Sequence, residues 1–283
     1  MRIAVTGAAG MLAKALLPQL ESAKHELLAL SRDQADVTSF PALRAAIEPF
    51  KPEWVIHLAA FTRVDECERE AELAFRVNGL GARNAALVAA ACGAAVLTIS
   101  TDYVFDGRGK RPYREYDHVG PLSVYGKSKW AGEEAVRDAS HRHVIVRTAW
   151  LYGAGGANFV DSILRKARHG ESLAVVDDQR GSPTWTNDLA RALVGLVSAS
   201  EFGTYHCTNG GECTWHELAE HVIRRAGHDG PVERTTTAAL ARPAPRPAYS
   251  VLDGSWCEHV TGHRMPHWKD AVDRYLGTVL AGN

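Results

Sequence analysis

Two residues with acid/base chemistry, Tyr125 and Lys129, stand four positions apart in the segment "PLSVYGKSKWAGEEA" (121–135). A phenol has an ordinary pKa of about 10, so it is a poor proton donor or acceptor near neutral pH. Residues at i and i+4 are neighbours on a helix, and a nearby ammonium favours the phenolate. We therefore expect Lys129 to lower the pKa of Tyr125. Because such pairs also arise by chance on many helices, the pair needs support from other residues.

Hydroxyl groups supply part of that support. The segment "LTISTDYVFDG" (97–107) starts as a β-branched run, which predicts a strand, and Ser100 and Thr101 stand where the strand ends. Ligands of doubly wound sheets bind outside the carboxyl ends of the strands. We expect one of these hydroxyls to face a substrate oxygen beside Tyr125.

A glycine-containing turn follows the first predicted strand in "TGAAGMLA" (6–13). Gly7 and Gly10 would let the backbone approach a pyrophosphate at the start of a helix, while Ala13 stands where a dinucleotide-binding pattern often has a third glycine. A turn of this kind can also bind nothing. Its position at the first strand of a strand–helix series favours dinucleotide binding.

The residues after the second predicted strand are Ser31 and Arg32. An acidic residue there would bind the ribose hydroxyls of NAD, whereas a guanidinium suits a 2′-phosphate. The sequence therefore favours NADPH over NADH. Because surface arginines are common, a merely solvated Arg32 is the other interpretation of this residue.

Strand and helix patterns alternate from the N-terminus up to about residue 150, with strands predicted at 2–7, 25–31, 53–60, 94–100 and 143–149. Such alternation predicts right-handed βαβ units and a parallel sheet that is covered on both faces. The predicted fold class is α/β, a doubly wound parallel sheet of the NAD(P)-binding Rossmann type over residues 1–150. Residues 151–283 are predicted to form a smaller α+β substrate-binding part, with some elements returning to the Rossmann domain.

Composition limits the function classes. The chain has 283 residues, 46% of them hydrophobic, and a formal net charge of −1, which argues against nucleic-acid or membrane-surface binding. Five cysteines without a C-x-x-C pair fit reduced thiols, and no run of about 18 apolar residues is present, so we expect a cytoplasmic protein.

The segment "WHELAEH" (215–221) looks like the zinc-binding H-E-x-x-H, but His216 and His221 are five residues apart. On a helix the two rings would point about 140° apart, so they cannot bind one ion together. No metal site is predicted.

The glycine turn, the strand-end hydroxyl and Tyr-x-x-x-Lys, in this order, resemble the short-chain dehydrogenase/reductase superfamily, in its extended branch that acts on nucleotide sugars. The segments "AAFTRVDECE" (59–68), "RTAWLYG" (147–153), "DDQRGSPTWTNDLA" (177–190) and "RPAYSVLD" (246–253) are similar to those of the dTDP-4-dehydrorhamnose reductase family. Asp102 and Tyr103 replace the Asp-Glu pair of the related dehydratases, which favours plain reduction over elimination of water.

The resemblance implies reduction of the C4 ketone of dTDP-4-dehydro-β-L-rhamnose by NADPH. Tyr125 would donate the proton, with its pKa lowered further by an oxidised nicotinamide, Lys129 would hold the nicotinamide ribose, and Thr101 would bind the same oxygen. The implied cofactor residues are Gly7, Gly10, Met11, Leu12, Ser31, Arg32, Asp36, Val37, Ala59, Ala60, Phe61, Tyr125 and Lys129. The implied substrate residues are Thr62, Val64, Thr101, Asp102, Tyr103 and Trp150, with Trp150 offering an apolar face to the hexose.

Several alternatives stay open at this point. The protein could be another nucleotide-sugar 4-ketoreductase, an epimerase of the same superfamily, or a non-catalytic NADP-binding regulatory subunit. Some relatives bind magnesium at a dimer interface through an acidic residue of the first helix, and this chain has Ala15 at that position. A homodimer is compatible with the sequence, but a metal-bridged one is not expected.

Overall fold

The computed structural model describes residues 1–228 and 230–281. Its strands are β1 Arg2–Thr6, β2 Glu26–Leu30, β3 Trp54–His57, β4 Ala95–Thr101, β5 His143–Thr148, β6 Leu151–Tyr152, β7 Leu173–Val176, β8 Arg180–Gly181, β9 Thr184–Trp185, β10 Gly203–His206, β11 Cys213–Thr214 and β12 Val232–Thr235. Its α-helices are α1 Met11–Ser22, α2 Phe40–Ile47, α3 Val64–Arg69, α4 Ala71–Ala74, α5 Gly81–Ala91, α6 Val124–Ala139, α7 Phe159–Arg168, α8 Thr186–Ala199, α9 Trp215–Arg225, α10 Thr237–Leu240, α11 Ser255–Thr261 and α12 Trp268–Ala281.

Six strands form the central sheet in the order β10-β5-β4-β3-β1-β2, and every neighbouring pair is parallel. The order reverses between β1 and β3, and this is the position at which a doubly wound sheet opens a crevice at its carboxyl edge. The predicted fold class is confirmed, and the five predicted strands are present within a few residues of their expected ends.

Helices cover both faces of the sheet because the strands are apolar on both sides. On one face α1, α8 and α11 pack together, with Leu16 and Leu193 in a shared core. On the other face α2, α5 and α6 bury Leu43, Ala85 and Val136. Two-sided burial of this kind is expected for a parallel sheet.

A smaller lobe is built by α7, α9 and α12 together with the parallel pair β7 and β12. Its core contains Ile163, Leu218 and Tyr275. The chain returns to the large sheet through α8 and β10, the latter pairing with β5, while α11 and α12 have no counterpart in the sequence analysis. The division at residue 150 stays a prediction, and residues 229, 282 and 283 of the predicted C-terminal part lie outside the described residues.

The two histidines of the "WHELAEH" segment have separate partners. His216 Nε2 lies 2.9 Å from the Val232 carbonyl oxygen, and His221 Nε2 lies 2.8 Å from an Asp273 oxygen. Over residues 1–228 and 230–281, no group of three or more histidine, cysteine or acidic residues could hold a metal ion. Within those same ranges no helix combines the length and apolar character needed to cross a membrane.

Candidate active site

The turn between β1 and α1 needs glycine. Gly7 has φ +72°, and a Cβ atom on it would lie 2.6 Å from the backbone nitrogen of Ala59. Gly10 is the N-cap of α1 and supplies no side-chain acceptor, and the first helical amides have no intrahelical acceptor either. Free amides at the positive end of a helix form an anion site, and the turn is therefore suited to a pyrophosphate.

A cavity of about 320 Å³, here called the first cavity, opens beside this turn. The predicted cofactor residues that line it are Gly7, Gly10, Arg32, Asp36, Val37, Ala59, Ala60 and Phe61. The sequence analysis missed further lining residues, namely Ala9, Ala35, Thr38, Leu58, Arg63, Leu73, Arg76 and Val77. The first cavity thus runs from the glycine turn along the ends of β2 and β3.

Five predicted cofactor residues are not on the wall of the first cavity, namely Met11, Leu12, Ser31, Tyr125 and Lys129, of which the last two lie on α6. Leu12 is buried in the core beneath the sheet, Met11 stands close to Gly156 of the smaller lobe, and the backbone N–H of Ser31 donates to Gln34. For Leu12, the apolar side chain is drawn into the core because α1 packs its apolar face against the sheet. The backbone N–H groups of Met11 and Leu12 lie in the first turn of α1, where helical amides have no intrahelical acceptor.

Basic residues dominate the rim of the first cavity. Arg32, Arg63 and Arg76 contribute three guanidinium groups against the single carboxylate of Asp36. The Asp36 carboxylate accepts hydrogen bonds from the backbone N–H and the hydroxyl of Thr38, both at 2.9 Å. The backbone bond from Thr38 is the main reason why the pKa of Asp36 is lowered, with help from Arg32 and Arg76.

The helical segment after α4 contains a π-helical turn, Phe75–Leu80. Asn78 in this turn accepts a 2.7 Å hydrogen bond from the Phe61 N–H and donates to the Phe61 carbonyl and to the Ser128 hydroxyl, both at 3.0 Å. It thereby joins the wall of the first cavity to α6. π-Helical turns are frequent at functional sites, and sequence periodicity gives no signal for one; the only hint is glycine at positions 79 and 81 inside a helical pattern.

Helix α6 carries the Tyr-x-x-x-Lys pair. Ser123 caps the helix by accepting a 3.1 Å hydrogen bond from the Gly126 N–H. A Cβ atom on Gly126 would lie 2.3 Å from the carbonyl oxygen of Tyr103, so glycine lets α6 approach the loop after β4. This close approach places Tyr125 beside Thr101 and Tyr103, and the Tyr103 and Tyr125 rings lie edge to face with centroids 5.6 Å apart.

The pKa of Tyr125 is raised, which is the opposite of the expected direction. Burial is the largest cause, and a hydrogen bond with Thr101 opposes it only in part. The Lys129 ammonium donates a 2.6 Å hydrogen bond to the Ile99 carbonyl oxygen, and its charge is not among the main causes of the Tyr125 shift. A raised pKa keeps Tyr125 protonated at neutral pH, which is the state that a proton donor requires.

Lys129 is itself strongly buried. Burial lowers its pKa to about 8, and the nearby Glu133 carboxylate opposes this shift. The Ile99 carbonyl is the one hydrogen-bond acceptor that its ammonium has within the described ranges. Since an ammonium carries three donors, two remain available for a ligand.

Behind Lys129, one turn further along α6, Glu133 forms a buried network. Its carboxylate accepts hydrogen bonds from the Ser100 hydroxyl at 2.5 Å, from Arg147 at 2.8 and 2.9 Å and from Arg137 at 2.8 Å. Burial would raise the pKa of Glu133, but the bonds and charge of Arg147, with Ser100 and Arg137, hold it below its usual value. The network joins α6 to the ends of β4 and β5, and sequence analysis did not identify it.

Thr101 and Asp102 are coupled at the end of β4. The Thr101 hydroxyl donates a 3.0 Å hydrogen bond to Asp102 and accepts one of 3.2 Å from the Tyr103 N–H. Burial raises the pKa of Asp102 to about 6, and its second carboxylate oxygen has no hydrogen-bond partner among the described residues. Side-chain hydrogen bonds with Ser250 and Thr101 partly oppose the shift, and Asp102 itself is buried and lines neither cavity.

A second cavity, of about 370 Å³, lies between the loop after β4 and the smaller lobe. Tyr103 is the predicted substrate residue that lines it; the unpredicted lining residues are Phe159, Ser162, Ile163, Lys166, Leu173, Ala174, Val175, Val176, Gln179, Trp215, Thr237, Leu240, Arg242 and Arg246. Arg246 makes a 2.9 Å ion pair with Asp65, which ties this wall to α3. The second cavity combines an aromatic and aliphatic wall with three cations.

Trp150 is not on the wall of the second cavity. Its ring stacks on that of Trp215 with centroids 3.6 Å apart and an angle of 8° between the planes, and it also packs against Gly181. The backbone at Trp150 has φ +48°, a region that bulky residues seldom adopt. Trp215 therefore stands where the sequence analysis expected Trp150, because the smaller lobe inserts a second indole between Trp150 and the second cavity. Thr62 is exposed, and Val64 begins α3.

Comparison with known proteins agrees with this geometry. Residues 1–280 match the family of the RmlD substrate binding domain. The chain belongs to this family. A member, the dTDP-4-dehydrorhamnose reductase of Streptomyces griseus, is 47% identical over 275 residues, which cover 95% of this chain and 90% of that protein. The spore coat polysaccharide biosynthesis protein SpsK of Bacillus subtilis is 42% identical over 275 residues, covering 97% and 96%.

A solved structure supports the same RmlD family relationship. The dTDP-4-dehydrorhamnose reductase of Bacillus anthracis, in complex with NADP, superimposes with a TM-score of 0.95 at 36% identity, over 98% of this chain and 99% of that one. The superposition includes the smaller lobe as well as the large sheet, so both cavities belong to the part that the two proteins share.

Proposed function

We propose that the protein is a dTDP-4-dehydrorhamnose reductase, which uses NADPH to reduce the C4 ketone of dTDP-4-dehydro-β-L-rhamnose to dTDP-L-rhamnose. The observation that carries this proposal is the position of Tyr125 between the two cavities. Tyr125 packs against a buried cluster that contains Phe61, a residue of the first cavity wall, and its ring lies edge to face with that of Tyr103, which lines the second cavity. A proton donor at this junction can serve a reaction between ligands in the two cavities.

The described residues fit a bound dinucleotide. A side chain at Gly7 would fill the space beside Ala59, the first amides of α1 have no intrahelical acceptor and no side-chain cap from Gly10, and the rim of the first cavity is basic at Arg32 and Arg76. NADPH, when bound, supplies the hydride. The side chains at positions 32 and 76 favour the 2′-phosphorylated form over NADH.

The second cavity suits a nucleotide sugar. Lys166, Arg242 and Arg246 are cations that can pair with a diphosphate, and the indole of Trp215 offers a flat apolar face. Because Tyr103 reaches from this wall to the Tyr125 ring, the sugar end of such a ligand would lie towards the phenol. We infer that the hexose lies beside Tyr103 and Thr101.

The reaction needs a proton for the carbonyl oxygen and a fixed orientation of the residues around it. Tyr125 donates its hydroxyl proton to the carbonyl oxygen as that oxygen gains negative charge, and the hydroxyl of Thr101 binds the same oxygen. Lys129 contributes two free N–H donors and a positive charge to the same end of the site. The hydrogen bonds of Asn78 with Phe61 and Ser128 hold the wall of the first cavity in a fixed position relative to α6.

The test is turnover of NADPH with dTDP-4-dehydro-β-L-rhamnose by the Tyr125→Phe variant. Removing the proton donor should lower kcat by about 10²–10⁴-fold while the Kd for NADPH changes little. Tyr116→Phe is the matched control, since Tyr116 is an exposed tyrosine outside both cavities, and should retain activity. Near-normal turnover by Tyr125→Phe would refute the donor role.

The same assay distinguishes the alternatives. Faster turnover of another dTDP-4-keto sugar would identify a different 4-ketoreductase, and interconversion of sugars without net NADPH oxidation would identify an epimerase. Binding of NADPH without turnover of any keto sugar would identify a regulatory subunit.

We also propose a cytoplasmic location, supported by five free cysteines, four of them buried. A homodimer stays a proposal. Ala15 packs partly buried against the core beneath the sheet, so any dimer would form without an acidic metal ligand at that position.

A further inference from the structure

Two arginines from distant parts of the chain meet at the first cavity. Arg32 follows β2, and Arg76 belongs to the π-helical turn Phe75–Leu80. Within residues 1–228 and 230–281, neither guanidinium makes an ion pair or a side-chain hydrogen bond, whereas Arg63 on the same rim pairs with Glu66 at 2.9 Å. Two guanidinium groups that form no hydrogen bond or ion pair with the described residues, and that interact with Asp36 only at longer range, therefore face one ligand cavity.

Asp36, the one carboxylate among the described residues that line the first cavity, cannot neutralise both arginines. Asp36 carries one negative charge, and its Oδ1 atom is already held by the N–H and hydroxyl of Thr38. At the end of β2, where a carboxylate would bind a ribose 2′-hydroxyl and repel a phosphate, the residues are Ser31 and Arg32. The rim thus keeps excess positive charge next to the place where the adenosine ribose of a dinucleotide would lie.

The π-helical turn also fixes where Arg76 stands. Asn78, two residues further on, is buried and bonded to both Phe61 and Ser128. The backbone around position 76 is therefore anchored to the wall of the first cavity and to α6. An anchored backbone reduces the conformational entropy that a guanidinium must lose on binding an anion.

We propose that Arg76 and Arg32 together bind the 2′-phosphate of NADPH, with Arg76 supplying the second guanidinium of the site. This inference rests on the proposed function. A phosphate between two guanidinium groups receives several charge-assisted hydrogen bonds, whereas a 2′-hydroxyl gains little from the second cation. Arg76 is thus a residue that determines specificity for NADPH over NADH.

The experiment measures binding of adenosine 2′,5′-bisphosphate and of AMP by isothermal titration calorimetry, so that no turnover is needed. The two probes differ only in the 2′-phosphate. Arg76→Ala should weaken bisphosphate binding by about 10-fold or more, as expected for the loss of a hydrogen-bonded charge, and leave AMP binding within about 2-fold. The affinity of the Arg76→Lys variant for the bisphosphate should lie between those of the unaltered protein and Arg76→Ala, because lysine keeps the charge but lacks the planar guanidinium.

Arg168→Ala serves as the control, since Arg168 is an exposed arginine of α7 outside the first and second cavities, and it should bind both probes like the unaltered protein. Equal effects of Arg76→Ala on the two probes, or no effect on the bisphosphate, would overturn the inference. An unaltered protein that binds both probes equally would overturn it as well.

Turnover separates this inference from the proposed function. If the unaltered protein oxidises NADPH with the keto sugar while Arg76→Ala binds the bisphosphate normally, only the role of Arg76 is wrong. If the bisphosphate preference depends on Arg76 but no keto sugar is reduced, the phosphate site stands and the proposed reaction is wrong. Retained NADH-dependent turnover by Arg76→Ala would show that the variant is folded.

Discussion

The burial of Glu133 and its partner Arg147 predicts how much the free energy of unfolding should fall when the Glu133 carboxylate is removed. Its side chain is 1% exposed and that of Arg147 is 2% exposed, and they share two hydrogen bonds of 2.8 and 2.9 Å. Glu133→Gln leaves the Arg147 guanidinium buried without its acidic partner. Breaking a buried pair in this way costs roughly 3–5 kcal/mol, so we expect the free energy of unfolding to fall by that amount.

Glu134→Gln is the matched control. Glu134 is the next residue on α6 and is also paired with Arg137, but its side chain is 53% exposed. An exposed pair contributes about 0–1 kcal/mol, so this variant should unfold almost like the unaltered protein. The two substitutions make the same chemical change at adjacent positions, and burial is what distinguishes them.

The double variant Glu133→Gln/Arg147→Met isolates the interaction between the two side chains. Removing both charges leaves no unpaired buried ion, so the double variant should lose less stability than the sum of the two single variants. Urea denaturation measures each free energy of unfolding, provided that the slope m is unchanged. Additive losses, or a Glu133→Gln loss no larger than that of Glu134→Gln, would refute the reasoning.

Two further predictions concern Lys129 and Gly7. Burial lowers the pKa of Lys129 to about 8, so the ammonium loses its proton as the pH rises through that value. We therefore expect kcat/KM for reduction to fall above about pH 8. A kcat/KM profile that stays flat to about pH 10, near the ordinary pKa of lysine, would contradict this prediction. The folded state binds fewer protons than the unfolded state between about 8 and 10.5, so the lysine destabilises the fold fully below pH 8 and progressively less above it. Gly7→Ala should abolish tight NADPH binding and destabilise the protein by more than the roughly 1–3 kcal/mol of a strained backbone, because its Cβ would meet Ala59 at 2.6 Å. Gly93→Ala is the control, with φ +67° and no atom within 4 Å; equal losses in denaturant melts of the two variants would show that the contact is unimportant.

Part of the site followed directly from local sequence. The glycine turn, Arg32 and the Ala59–Phe61 segment line the first cavity because each stands at the carboxyl end of a predicted strand, and their role in binding a cofactor stays a prediction. Parallel strands align their carboxyl ends at one edge, so strand order along the chain is enough to bring these residues together. The side chain of Leu12 takes part in core packing, which the motif does not report, and binding through its backbone N–H stays a prediction.

Other parts depended on contacts between segments that are far apart in sequence. Arg76, Asn78 and Glu133 were missed, since a π-helical turn and a buried ion network have no local sequence pattern. The direction of the Tyr125 pKa shift was wrong because burial, and not the neighbouring ammonium, decides it. Trp215 reaches the second cavity only because the smaller lobe packs against the large sheet.

The sequence by itself determined the strand–helix order and hence the parallel sheet, along with the chemical types that gather at its carboxyl edge. Hydrophobic periodicity and glycine placement act over a few residues, which is why they can be interpreted without coordinates. Tertiary structure alone decided which cations lack partners, how deeply the phenol and ammonium are buried, and which indole faces the second cavity. Those properties depend on the solvent and the charges around each group. Residues that are far apart in the sequence create these surroundings, as in the contact of Asp65 with Arg246, which are 181 positions apart.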